Sequence, residues 1–287
     1  WSLQGEIKFL CPCPGYDRHF GIAEYLGIKM IPVKMTETGP DMDQVEELVR
    51  DHSVKGMFCV PKYSNPTGIT YSDETVKRLA AMETADDFRI IWDNAYCIHD
   101  LFGREDTLLD MLTECEKAGN PNRAVEFAST SKISLSGAGV SVLAANAENL
   151  AYIKKRCAKQ TIGHDKANQL RHVLYYKDIN GVKAHMKALS DIISPRFEVV
   201  LNAFDKELGA LGIACWSKPN GGYFISLDVL EGCATRVYNL CKEAGVKLTN
   251  VGATYPYGKD PLDTNIRIAP TFPSIEELST ATELLVI

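Results

Sequence analysis

The sequence predicts an α/β fold: a three-layer α/β/α large domain built on a mostly parallel sheet, followed by a smaller α+β domain at the C-terminal end. Two observations carry this expectation. Over the first two-thirds of the chain, short β-rich apolar runs alternate with stretches of helical periodicity, as in sheets whose strands are joined by helical crossovers. Past about residue 195 the alternation gives way to a long helix, two strands split by a Gly-Gly turn, and further short elements. The expected division is residues 1–194 for the large domain and 195–287 for the small one, with the boundary within or beside the long helix.

Residues 6–10 read as a strand, 20–26 as a helix and 29–33 as a second strand. The stretch 43–51 places Val45, Leu48 and Val49 on one helical face. Residues 55–60 form an apolar run of the kind buried on both sides in a parallel sheet. A helix over 72–84 opens with Ser72 as its cap and Thr75 three residues on. Apolar strands follow at 89–92 and 125–128. The second part contains a helix over 193–211 and strands at 213–216 and 223–227, split by Pro219-Asn220-Gly221-Gly222. A helix over 235–244, strands at 246–248 and 265–268 and a final helix complete it. Ligands of open parallel sheets collect beyond the carboxyl ends of the strands, so the residues following each strand are where chemistry is sought.

The chain has 287 residues, 45% hydrophobic and 24% charged, which excludes a disordered, collagenous or coiled-coil protein. Lys+Arg 31 against Asp+Glu 37 gives a net charge of −6 with no long basic run, which argues against nucleic acid or an anionic membrane surface as a partner. The longest apolar stretches, such as that from Val140 to Ala145, are far too short to span a bilayer. Nine scattered cysteines without a CxxC pair fit reduced thiols in a cytoplasmic protein better than zinc or a redox motif. His99, His164 and His172 lack metal-ligand spacing, and no metal is expected. The chain begins at Trp1 and runs almost directly into a strand, so a missing N-terminal portion is expected.

Four clusters carry candidate chemistry. Asn65-Pro66-Thr67-Gly68 follows the strand at 55–60, and alone it reads equally well as an ordinary turn. Asp93 closes the strand at 89–92, with Tyr96 three residues on. A carboxylate there needs a partner, or is a helix cap. Lys132 lies in Ser129-Thr130-Ser131-Lys132 after the strand at 125–128; small residues around it, with Gly137-Ala138-Gly139 beyond, would let backbone approach a ligand closely. Arg267 stands alone in the β-branched run Asn265-Ile266-Arg267-Ile268. It is either a surface residue or a fork for a carboxylate.

Taken together, the order Asn65, Asp93, Lys132, Arg267 resembles the fold-type I aminotransferases that use pyridoxal 5′-phosphate, and the resemblance covers almost the whole chain. The segment from Pro14 through Tyr16 to Phe20, with Ser-Thr-Ser-Lys and Gly-Ala-Gly, is similar more narrowly to the bacterial aspartate aminotransferases related to the aminotransferase-like regulators. The resemblance implies that Lys132 forms the Schiff base and later acts as the base. Asp93 then pairs with the pyridine nitrogen, and Asn65 and Tyr96 donate to the 3′ oxygen. It further implies Tyr16 stacked over the ring, Ser129 on the phosphate and Arg267, with Asn65, at the substrate carboxylate. Tyr223 and Phe224 are expected to be packing residues.

Two departures stand out. Where many family members carry an arginine for the cofactor phosphate, this chain has Val140. Family chains also usually carry about a hundred further residues before Tyr16. Lys166 or Arg171, in the polar segment 161–172, is a candidate for reaching an active site, against the plainer reading of a capped surface helix. The function implied is transfer of an amino group from an amino acid, with aspartate or glutamate among the substrates, to a 2-oxo acid by a ping-pong route in a homodimer. A lyase of the same fold, or a cofactor-binding sensor domain of a transcriptional regulator, is the alternative.

Overall fold

The computed structural model describes residues 5–287. Its first part runs β1 (Lys8–Cys13), α1 (Asp17–Tyr25), β2 (Lys29–Thr36), β3 (Gly39–Pro40), α2 (Met42–Leu48), β4 (Val54–Cys59), α3 (Asp73–Ala81) and β5 (Arg89–Asp93). It continues through α4 (Met111–Lys117), β6 (Ala124–Ser129), β7 (Ser141–Ala145), α5 (Ala147–Gln160) and α6 (Lys166–Tyr176). After α7 (Ile179–Glu207) come β8 (Ala214–Trp216), β9 (Ile225–Val229), α8 (Ala234–Glu243), β10 (Asn265–Ile268) and α9 (Ile275–Val286).

The larger sheet has seven strands in the order β3-β2-β1-β4-β5-β6-β7. Its centre, β2 through β6, is parallel, and the edge strands β3 and β7 pair antiparallel. Strand alternation sends side chains to two faces, and both are covered. On one face Leu10, Met57, Cys59, Ile90 and Trp92 pack with Val45 of α2, Val76 and Leu79 of α3 and Met111 of α4. On the other, Phe9, Cys11, Cys13 and Phe58 pack with Phe20 and Ala23 of α1. Helices on both sides of a mostly parallel sheet make the three-layer arrangement. The chain leaves β1 toward β2 on one side and returns to β4 on the other, so a crevice opens at the carboxyl ends of β1 and β4, where ligand sites in such sheets lie.

The second sheet is antiparallel, β10-β9-β8. Its apolar residues Ile225, Leu227, Ile266 and Ile268 form a separate core with Ile193, Phe197, Val200 and Phe204 of α7 and Leu278 of α9. Helix starts are capped as polar side chains dictate: Ser72 accepts from the Thr75 amide, and Ser274 and Glu277 form a reciprocal capping box.

Two local expectations are corrected. Residues 246–248 make no strand; Leu248 instead packs its side chain against the smaller core, with no ladder beside it. The long helix does not begin at 193. It starts at Ile179, where Asp178 caps it through the amides of Asn180 and Gly181, and it runs through Pro195.

Candidate active site

The carboxyl ends of β1, β4, β5 and β6 bring the candidate residues into one region. Lys132 ends a 3-10 turn, Thr130–Lys132, directly after β6. Ser129 opens that turn by accepting the Ser131 amide at 3.1 Å, and its hydroxyl lies 2.8 Å from that of Ser131. From the smaller sheet's side, the Tyr223 hydroxyl donates to the Lys132 carbonyl at 2.7 Å, and His99 Nε2 lies 3.3 Å from the same oxygen. The lysine backbone is thus pinned, while Nζ stands 5.0 Å from the centre of the Tyr96 ring. Nζ has no hydrogen-bond or ion-pair partner among the described residues. Burial pushes the amine below its ordinary pKa, and the negative charge of Asp93 acts against that shift.

Asp93, the last residue of β5, has the partner its position demands: Nε2 of His19 lies 2.9 Å from Oδ2. The His19 ring is itself stacked on Phe58 at 4.8 Å and meets the Tyr16 ring edge-on at 5.0 Å. Tyr16, Asp93 and Arg267 all act electrostatically on Tyr96, whose hydroxyl burial holds well above its usual range. His99, buried against the Tyr96 and Tyr223 rings, is pushed down to about 4, chiefly by burial.

Arg267 crosses from β10 to the larger sheet. Its Nη1 donates to Asp17 Oδ1 at 2.9 Å and to Asn65 Oδ1 at 3.2 Å, and the guanidinium lies 5.0 Å from the Phe224 ring centre. Nε is buried and has no hydrogen-bond partner among the described residues. Asn65 is itself 2% exposed, held by the turn in which Gly68 donates its amide to the Ser64 carbonyl at 2.6 Å. A guanidinium with one end anchored and a buried N–H left over is built to receive a planar anion.

A cavity of about 860 Å³ opens beside Lys132, lined by Ile133, Arg171, His172, Tyr175 and Tyr223 among others. Arg171 reaches that wall and Lys166 does not. Val140, where the resemblance leads one to look for a phosphate-binding arginine, is bonded to Thr130 through its backbone: its carbonyl accepts the Thr130 amide at 2.9 Å and its amide donates to the threonine hydroxyl at 2.8 Å.

Comparison with known proteins decides the family. The sequence profile described as aspartate amino-transferase matches residues 1–287, the full length of the chain. The chain belongs to the aspartate aminotransferase family. It is 50% identical over 283 residues to a putative aminotransferase of Mycolicibacterium smegmatis, covering 98% of this chain and 66% of that protein. It is also 50% identical over 282 residues to an aspartate aminotransferase of Corynebacterium glutamicum, covering 98% of this chain and 65% of that one. The chain therefore spans about two-thirds of the length of these relatives. The crystal structure of an aspartate transaminase from Corynebacterium glutamicum superposes with a TM-score of 0.98 at 49% identity, covering 100% of this chain and 68% of that one.

In this member of the aspartate aminotransferase family, Lys132, Asp93, Tyr96 and Tyr16 gather at the strand ends, and Asn65 and Arg267 bond each other beside them. Ser129 closes β6 at the same carboxyl end, engaged with Ser131. Sequence reasoning passed over His19, Asp17 and the anchoring role of Tyr223. A signal for the first was present: His19 follows Tyr16 by three residues, which on a helical turn faces both the same way. At Gly139 the space is taken by Ser131: a Cβ there would meet its hydroxyl oxygen first and would lie 2.8 Å from its backbone nitrogen and Cα.

Proposed function

We propose that this chain carries the catalytic centre of a pyridoxal 5′-phosphate-dependent aminotransferase that exchanges the amino group of aspartate or glutamate with a 2-oxo acid in two half-reactions. The observation that carries the reading is the Lys132 amine: half-buried, lowered in pKa, over the Tyr96 ring, within the field of Asp93 and without a hydrogen-bond or ion-pair partner among the described residues. An amine whose pKa is lowered gives up its proton more readily, and once deprotonated it is a nucleophile toward an aldehyde and a base toward a carbon acid. When bound, the cofactor supplies an aldehyde that condenses with amines and a pyridinium ring that takes up an electron pair.

The residues present fit that group. Asp93, fixed by His19, offers a carboxylate to keep a ring nitrogen protonated. Tyr96 and Asn65 offer a hydroxyl and an amide donor to a ring oxygen, and Tyr16 offers an aromatic face. Lys132, once free, moves a proton from the substrate α-carbon, and Arg267 grips the α-carboxylate so that this carbon is presented to it. Ser129 serves the phosphate through its hydroxyl.

The proposal includes a division at 194/195 and a homodimer. The first is supported by the separate cores of the two sheets, although α7 runs through the boundary. The second is supported by the exposed apolar side chains of α5 and α6, among them Tyr152, Leu170, Val173 and Leu174.

The test is the visible spectrum of the full-length protein with pyridoxal 5′-phosphate. A band that is bleached by aspartate, restored by 2-oxoglutarate and missing in Lys132→Ala is the expected result. Product formation from one amino acid without any oxo acid would replace transfer by a lyase reaction, and a band persisting in Lys132→Ala would remove Lys132 from its role.

A further inference from the structure

The pair formed by Arg267 and Asp17 has no structural purpose that its surroundings demand. It joins β10 to the first turn of α1 across 250 positions, with the arginine side chain 11% exposed and the aspartate 46% exposed. With the aspartate almost half exposed, water screens the pair from that side and limits what it adds to stability. Its position tells more. Nη1 spends its two hydrogens on Asp17 and Asn65, which leaves the edge formed by Nε and Nη2, and Nε is buried with no partner among the described residues. An arginine needs two parallel N–H groups to bind a carboxylate bidentately, and that edge is the pair remaining.

We propose that Asp17 is a positioning and affinity-setting residue for substrate: a built-in counter-carboxylate that holds one end of the Arg267 fork in place and offsets part of its charge. The inference rests on the reading of Arg267 as the α-carboxylate site and adds a second carboxylate that competes with substrate for the same cation. The first effect orients the free edge. The second keeps carboxylate binding weak enough for amino acid and oxo acid to exchange in alternate half-reactions, each of which must leave before the other enters. Asp17 sits at the start of α1, where the helix dipole favours an anion, so the helix itself helps to retain the carboxylate.

Charge and geometry separate in two substitutions. Asp17→Asn keeps an oxygen for Nη1 and removes the negative charge; Asp17→Ala removes both. The full chain loaded with pyridoxal 5′-phosphate and these variants are titrated calorimetrically with sodium propionate, a bare carboxylate probe, at low and high salt. Asp17→Asn is expected to bind propionate about fivefold more tightly at low salt, with the gain shrinking as salt rises, and its KM for aspartate falls with the change carried by KM rather than kcat. Asp17→Ala gains less, because the fork has lost its anchor. Equal or weaker propionate binding by Asp17→Asn overturns the proposal, and an Asp17→Ala gain as large as that of Asp17→Asn overturns the orienting half. Arg267→Leu keeps the two readings apart. Propionate heats that survive in it remove Arg267 as the carboxylate site altogether, whereas heats that vanish in it but are unmoved by Asp17→Asn dismiss Asp17 alone.

Discussion

His19 Nε2 and Asp93 Oδ2 stand 2.9 Å apart, which ties the first turn of α1 to the end of β5. The contact satisfies a carboxylate at a strand terminus and fixes its direction, leaving Oδ1 for another donor. In His19→Ala the carboxylate loses this partner. A stability loss of about 1–3 kcal/mol by urea denaturation is expected. Weaker retention of pyridoxal 5′-phosphate, followed by its absorbance on dilution, accompanies it.

Lys132 supplies a pH-dependent term of known sign. Its amine is lowered in the native chain by burial and returns to about 10.5 when unfolded. Between those two values the unfolded chain binds a proton that the native chain does not, so stability rises with pH across that interval. Urea midpoints for the cofactor-free protein from neutral pH upward should climb more steeply than those of Lys132→Met, which lacks the group. A parallel pair of curves would contradict the buried amine.

His99 works at the other end of the scale. Burial lowers its imidazole to about 4, against 6.5 for an exposed histidine. The unfolded chain therefore takes up a proton first as pH falls, and the His99 contribution is fully present above about 6.5 and lost toward 4, amounting to about 3 kcal/mol at the lower limit. Proton NMR should place the His99 titration near 4, and His99→Gln should remove this part of the acid slope.

Gly139→Ala tests the support beneath Lys132. The new methyl would lie 2.8 Å from both the nitrogen and the Cα of Ser131, which are backbone atoms and cannot rotate away. The turn carrying Lys132 must move. A cost of roughly 1–3 kcal/mol is expected from overpacking, together with about a tenfold drop in kcat from displaced chemistry. Gly137→Ala is the control for space, since nothing lies within 4 Å of its Cβ position, although its φ of +79° adds strain of its own.

The central strands were readable because burial on both faces leaves little but apolar residues, as in Val54–Cys59 and Arg89–Asp93. Strand β3 has only two residues, Gly39 and Pro40, and carries no periodicity to detect. At 246–248 two apolar residues flanking a lysine mimic a strand, but Leu248 packs on the smaller core and no strand among the described residues pairs with the segment. Pro195 hid half of α7, since a proline ordinarily begins or breaks a helix rather than sitting within it. In the site, Lys132, Asp93, Asn65 and Arg267 stood out because each lies beside a recognisable strand or turn. The Tyr16–His19 spacing hints at a shared face, but the partners that give His19 and Asp17 their roles lie 74 and 250 positions away.

The guanidinium of Arg267 meets Asn65 across 202 positions and Asp17 across 250. Neither half-molecule obtained by severing α7 would own a complete receptor: one fragment keeps the cation, the other its two oxygen anchors. Recognition of the anion therefore emerges only after the most distant stretches of chain have found each other, and a single nick that lets them drift apart would silence the centre while leaving every side chain chemically intact.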